Sequence, residues 1–295
     1  MNPAQSSVTI DAIRPNLTDK AINDWLEPHY VALDSSVPAR NKLFLFLCGS
    51  YGESERQQLI IRQAAKMGYH AINLRYPNSN SINSLCRSSS DPNCHEQMRR
   101  SIIYGSSAKD ESKLNITRAN SIQNRLIKLL IYLYEQNPAA GWLNYLEGLR
   151  LRWESMVVSG HSQGGGHAVL IAKEQLVSRV VMLSAPLDFS RVFKTPATWL
   201  GKDSITPQER YYGFAHAEDP GIRKILYAWQ LLGLGENMVD VDEVAPPYNY
   251  SRELFTNFPI ANPRKIHGSL VVDAITPRLE DGTPVFQKVW QYLLD

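Results

Sequence analysis

Ser162 stands in the run Val157-Val158-Ser159-Gly160-His161-Ser162-Gln163-Gly164-Gly165-Gly166, which contains Gly-x-Ser-x-Gly at positions 160–164. A serine hydroxyl is a poor nucleophile at neutral pH. Acyl chemistry at Ser162 therefore needs a base to take its proton and donors to hold the oxyanion that forms. The five letters are common by themselves, and their context gives them weight: an apolar, strand-like run precedes them and a helix-like run follows. On a tight strand-to-helix turn the serine is forced into a strained backbone geometry that lifts Oγ above the sheet edge. Gly160 and Gly164 fit such a turn, because side chains there would clash with the neighbouring helix and strand. The start of the helix would aim free N–H groups and positive dipole potential at the same spot. The alternative is a glycine-rich turn of purely structural purpose.

A base for Ser162 would be a histidine further along the chain, and three follow it: His167, His216 and His267. His167 falls one turn into the helix-like run and is expected to pack there. His216 lies inside a strand-like run. His267, in Arg264-Lys265-Ile266-His267-Gly268-Ser269, sits in a polar loop just ahead of an apolar segment and the last helix-like run. His161 is expected to buttress the turn. Asp219 and Asp188 each follow a strand-like run and compete as the acid that would orient a histidine; the loser would be a helix cap or salt-bridge partner. No Cys/His/Asp spacing reads as a zinc site, since the adjacent Cys94-His95 makes a poor tetrahedral pair.

The elements that would carry these residues are legible as alternating strands and helices. Leu43 to Cys48 is continuously apolar, which suits a strand covered on both faces. Residues 55–67 have helical spacing, and Tyr69 to Leu74 reads as the next strand. Residues 78–113 are polar and Ser-rich and read as an irregular excursion. An amphipathic helix is expected over 119–136. A strand at Met156–Ser159, a helix from Gly165 to about Leu176 and a strand at Arg179–Leu183 follow. Tyr211–His216 is a weaker strand candidate, and Leu270-Val271-Val272 could be strand or helix. A terminal helix is expected from Gln287 to Leu294. This alternation argues for α/β architecture, a mostly parallel central sheet flanked by helices. We expect one domain over 1–295, with insertions around 78–113 and 189–258.

Composition is consistent with that size of core, at 43% apolar and 20% charged residues. A formal charge of +2 lends no support to a nucleic-acid binder, which needs a clustered basic surface. No stretch reaches the ~18 consecutive apolar residues of a membrane span. Met1 to Val8 has neither a basic flank nor an apolar run, so no signal peptide is visible there. Cys86 and Cys94 flank a polar loop and could close a small disulfide ring, although pairing cannot be deduced from sequence. A bridge would point to an oxidising compartment, secreted or periplasmic, and its absence to the cytoplasm. Cys48, in an apolar run, reads as a buried free thiol. Asn-x-Ser/Thr triplets begin at Asn16, Asn115 and Asn249, a number that chance readily produces. Oligomeric state is not legible.

The elbow Gly160-His161-Ser162-Gln163-Gly164-Gly165, with the order of elements over roughly residues 40–295, resembles the α/β-hydrolase superfamily, and its serine esterases and lipases in particular. The resemblance implies a serine, an acid and a histidine in that chain order. It thereby implies Ser162 as nucleophile, His267 as base and Asp219 as acid, with Asp188 as the alternative. It further implies an oxyanion hole of two backbone N–H groups. One would come from Gln163, and the other from the loop Gly49-Ser50-Tyr51, with Ser50 and Tyr51 both open. That loop has a single glycine where some members carry His-Gly-Gly. The implied reaction is cleavage of a small-molecule carboxylic ester through an acyl-enzyme, with no cofactor. Acyl transfer, amide or peptide hydrolysis with the same triad, and a non-catalytic binding protein are the alternatives. Ser162 argues against dehalogenases and epoxide hydrolases, which place an aspartate at the elbow. Substrate contacts are expected from Tyr51 beside the oxyanion loop and from Trp199 and Trp229 in the regions above the strand ends.

Overall fold

Leu43–Leu47 forms a strand in which all five side chains are buried, as a strand covered on both faces requires. Around it the computed structural model, which describes residues 7–106, 114–235 and 237–295, builds one nine-stranded sheet. In chain order the strands are β1 (Val8–Ile13), β2 (His29–Asp34), β3 (Leu43–Leu47), β4 (His70–Asn73), β5 (Met156–His161), β6 (Arg179–Leu183), β7 (Tyr211–His216), β8 (Met238–Asp240) and β9 (Glu253–Thr256). Across the sheet they run β1-β2-β4-β3-β5-β6-β7-β9-β8. From β4 to β8 every pairing is parallel. Only β2 runs against the rest among the described residues, pairing antiparallel with β1 and β4.

Alternation along each strand divides the core into two layers. Leu43, Leu45 and Leu47 face one layer together with Val158 and Met182. Phe44 and Phe46 face the other with Val157, Val181 and Phe214. Helices α2 (Cys94–Tyr104), α3 (Ile122–Gln136) and α4 (Gln163–Glu174) cover the first face; α1 (Leu59–Lys66) and α6 (Gln287–Leu294) cover the second. Helix α5 (Ile222–Leu231) follows β7 and packs on the first layer through Ile225 and Trp229. The chain steps from β3 outward to β4 and then returns to the other side of β3 as β5. The crevice between the ends of β3 and β5 is the kind of switch point at which open parallel sheets bind ligands.

Several expectations need correction. The interval 78–113 is not an irregular excursion: it holds a short helix at Ile82–Leu85 and the 11-residue α2, while 107–113 lie outside the described residues, as does Met1–Ser6. Helix α2 buries His95, Glu96, Arg99 and Ser101 beside Met98, Ile102 and Ile103, so its inward face does not read as apolar. The interval 189–258 is no single insertion either, because β7, α5, β8 and β9 belong to the main body. Residues ahead of Leu43, where no element was expected, supply β1 and β2. Leu270-Val271-Val272 is neither strand nor helix but a chain of turns closed by Val271 and Val272 N–H groups on Gly268 O. Cys86 and Cys94 form a disulfide. Cys48 is the buried free thiol expected, pushed up to about 12 mainly by burial. No helix among the described residues is long and apolar enough to cross a membrane.

Candidate active site

Strand β5 ends at His161, and the next residue, Ser162, has φ 54° and ψ −116°. A non-glycine residue held there costs on the order of 1–3 kcal/mol and persists only when its surroundings enforce it. The enforcement is visible. Ser162 N–H donates to Leu183 O at 2.9 Å, and Ser162 O accepts from Gly166 N–H at 3.3 Å. The two motif glycines permit the fit: a Cβ on Gly164 would stand 2.0 Å from Leu47 O, and one on Gly160 would stand 2.3 Å from the Gly164 carbonyl carbon. Ser162 is left partly exposed at the head of α4, whose first N–H groups have no intrahelical partner.

His267 comes to this place from a 3-10 turn, Pro263–Gly268, that Asn262 starts by accepting the Arg264 N–H. Its Nδ1 lies 2.7 Å from Asp219 Oδ2. A carboxylate can only accept, so Nδ1 carries a proton and Nε2 is the ring nitrogen left free of Asp219. The His267 side chain is 31% exposed, whereas that of Asp219 is 1% exposed. Burial pushes the Asp219 carboxyl up, but the His267 contact and the Gly221 N–H on Oδ1 at 2.7 Å outweigh it, and the net shift is downward. His161 joins His267 to the turn at Ser162. Its Nε2 donates to His267 O at 2.8 Å, and the two rings are 4.8 Å apart. Burial, with His267 alongside, lowers His161 to about 3, so it is a neutral buttress as expected.

The other candidates have different partners. Asp188 takes two hydrogen bonds from Arg99, at 2.5 and 2.7 Å, and one from Trp199 Nε1 at 2.9 Å. Against the upward push of burial, the guanidinium holds its carboxyl at about 2. Arg99 also donates to Gln163 O at 2.8 Å, so this buried pair braces the elbow from behind. His216 is likewise occupied: Nδ1 accepts the Glu218 N–H, and Nε2 donates to Phe258 O, which shapes the turn carrying Asp219. His167 is fully buried, edge-on to Tyr76.

The loop after β3 meets the elbow through side chains. Gln163 Oε1 accepts from Ser50 Oγ and from Ile82 N–H, both at 2.9 Å. Tyr51 N–H is spent on Asn78 O at 2.8 Å, whereas Ser50 N–H has no hydrogen bond among the described residues. The Tyr51 side chain is 68% exposed. Trp199 and Trp229 do not form an accessible wall: each is 1% exposed, the first held by Asp188 and the second by Ala185 O. Their size fills the core, as a Cβ on Gly213 would come within 2.3 Å of the Trp229 ring. Arg99, Asn78 and the Gln163 side chain are absent from the sequence reading. No local pattern marks them, because their partners are distant in the chain.

No protein-family model and no curated protein sequence matches the chain. Solved structures do. Esterase B from Lactobacillus rhamnosis aligns with a TM-score of 0.50 at 12% identity, covering 99% of this chain and 88% of that one. Esterase LipW from Mycobacterium marinum aligns at 0.47 and 12% identity over 99% and 82% of the two chains. The S-formylglutathione hydrolase from Staphylococcus aureus aligns at 0.46 and 12% over 98% and 99%. At such identities the likeness concerns the fold. With the sheet order and the strand–turn–helix at Ser162, the similarity to esterase B gives this chain the α/β-hydrolase fold.

Proposed function

We propose that the protein is a serine hydrolase that cleaves carboxylic esters of small molecules, with Ser162 as nucleophile, His267 as base and Asp219 as acid. The observation that carries this reading is the 2.7 Å contact between His267 Nδ1 and Asp219, on a histidine whose backbone is bonded to the residue preceding Ser162. The imidazole is thereby fixed in the tautomer that can accept a proton at Nε2. As Ser162 Oγ attacks the ester carbonyl, His267 takes the hydroxyl proton and Asp219 stabilises the imidazolium. The tetrahedral oxyanion is held by Gln163 N–H and, because Tyr51 N–H is already bonded, by Ser50 N–H; each donor contributes on the order of 3 kcal/mol. His267 then gives its proton to the departing alcohol, and water repeats the cycle on the acyl-enzyme. Tyr51 is the aromatic side chain assigned to the substrate side.

The test is covalent labelling with a fluorophosphonate, alongside hydrolysis of p-nitrophenyl esters. Wild type is expected to label and turn over, and Ser162→Ala to do neither. Labelling that survives in the alanine variant, or folded wild type that never labels, would overturn the assignment.

A further inference from the structure

Resting on that reading of the site, we infer that Asn78 is the positioning residue of the oxyanion hole: it locks the loop after β3 so that Ser50 N–H faces Ser162. The loop runs Gly49-Ser50-Tyr51-Gly52 with Tyr51 at φ 60°, a conformation that a non-glycine residue keeps only when its surroundings hold it. Asn78, 2% exposed, grips it at three points. Its Nδ2 donates to Gly49 O and to Gly52 O, both at 2.8 Å, and its backbone O accepts the Tyr51 N–H at 2.8 Å. Arg75 holds the amide in turn, donating from Nη1 to Asn78 Oδ1 at 2.8 Å, and is itself paired with Glu27. That bond also fixes the amide's orientation, with Oδ1 toward Arg75 and Nδ2 toward the loop.

The consequence for Ser50 follows from peptide geometry. A trans peptide is planar, and its C=O and N–H point in opposite directions. Drawing Gly49 O onto Asn78 therefore turns Ser50 N–H away from Asn78. What lies beside that peptide is the elbow: a Cβ on Gly49 would stand 3.1 Å from both Ser162 Cβ and His161 Nδ1, and Ser50 Oγ bonds Gln163. Gly52 N–H closes on Gly49 O at 3.0 Å, and Tyr51 N–H is taken by Asn78. Of these three N–H groups, Ser50's is the one without a partner among the described residues. Asn78 touches no reacting atom; it acts through the direction of one peptide.

The test compares wild type with Asn78→Ala and Asn78→Asp, the latter placing an acceptor against two carbonyl oxygens. Steady-state ester hydrolysis is measured on enzyme counted by active-site titration. Loss or misdirection of one donor should lower kcat by roughly 100- to 1,000-fold, with KM within about threefold because ground-state binding does not use the oxyanion. A boronic acid, whose tetrahedral serine adduct occupies the hole, should bind more weakly by the same factor as kcat/KM. If neither variant folds, Asn78→Ser, which keeps one donor, is measured in the same way. Unchanged kcat and boronate affinity in folded variants would overturn the inference, as would a loss confined to KM or to melting temperature. Wild type that fails to label at Ser162 would instead remove the hydrolase reading on which it rests.

Discussion

Asp219 and Asp188 follow neighbouring strands, β7 and β6, yet one meets an imidazole and the other a guanidinium. Both are buried carboxylates with lowered pKa, so charge alone does not separate them; their partners do. Asp219→Asn leaves the shape intact but removes the acceptor that fixes His267, and kcat should fall by about 10³–10⁴-fold. Asp188→Ala leaves Arg99 charged, buried and unpaired, which costs roughly 3–5 kcal/mol. Ester hydrolysis and urea unfolding on both variants check the division. The role of acid would pass to Asp188 if folded Asp188→Ala lost the larger share of kcat. In the sequence the two residues look alike, each a loop aspartate behind an apolar run. The deciding contacts come from Arg99 and His267, distant along the chain on opposite sides.

Helix α2 explains why parts of the fold were legible and others were not. Strands β3, β5 and β6 announce themselves because the sheet buries both their faces, leaving unbroken apolar runs. Helix α3 shows the stripe of a half-buried helix. α2 instead packs His95, Glu96 and Arg99 inward, where hydrogen bonds replace apolar contact, and its sequence reads as loop. The three- and four-residue strands β8 and β9 are too short to carry a period. The turn at Leu270-Val271-Val272 shows the converse, two fully buried apolar side chains without regular structure. At the site, Ser162 was legible because its backbone demands glycines nearby, whereas Arg99 and Asn78 act only through tertiary contacts. The Cys86–Cys94 bridge ties α2 to the short helix whose Ile82 N–H holds Gln163 Oε1. Closing so small a ring should stabilise the fold by about 2–3 kcal/mol on the chain-entropy account. Urea unfolding of a Cys86→Ser/Cys94→Ser double variant measures this, and an unchanged midpoint would show that neighbouring contacts already order the ring.

Across the whole molecule, five histidines are buried with pKa values lowered chiefly by burial: His29, His70, His95, His161 and His167. They are spread over the sheet and its helices, so their protonation bears on global stability and not on the site alone. In the native state burial disfavours the charged form of each ring, while in the unfolded chain each takes a proton below about pH 6.5. In acid the unfolded state therefore binds more protons, and stability falls as pH drops. The loss starts near the unfolded value and continues until each lowered native value is reached. Each such histidine contributes a slope of up to about 1.4 kcal/mol per pH unit. Stability should be nearly flat above pH ~7.5 and decline steeply between about pH 6.5 and 5. His167 gives the cleanest check, since it is 0% exposed and neither ring nitrogen has a partner among the described residues. Replacing it with methionine removes one of these protons from the balance and an unsatisfied buried group as well. Urea unfolding at pH 7.5 and 5.5 should then show a pH dependence shallower by about one proton's worth, 1.4 kcal/mol per unit. An unaltered slope in His167→Met would mean that this ring is already charged, or reachable by water, in the folded protein.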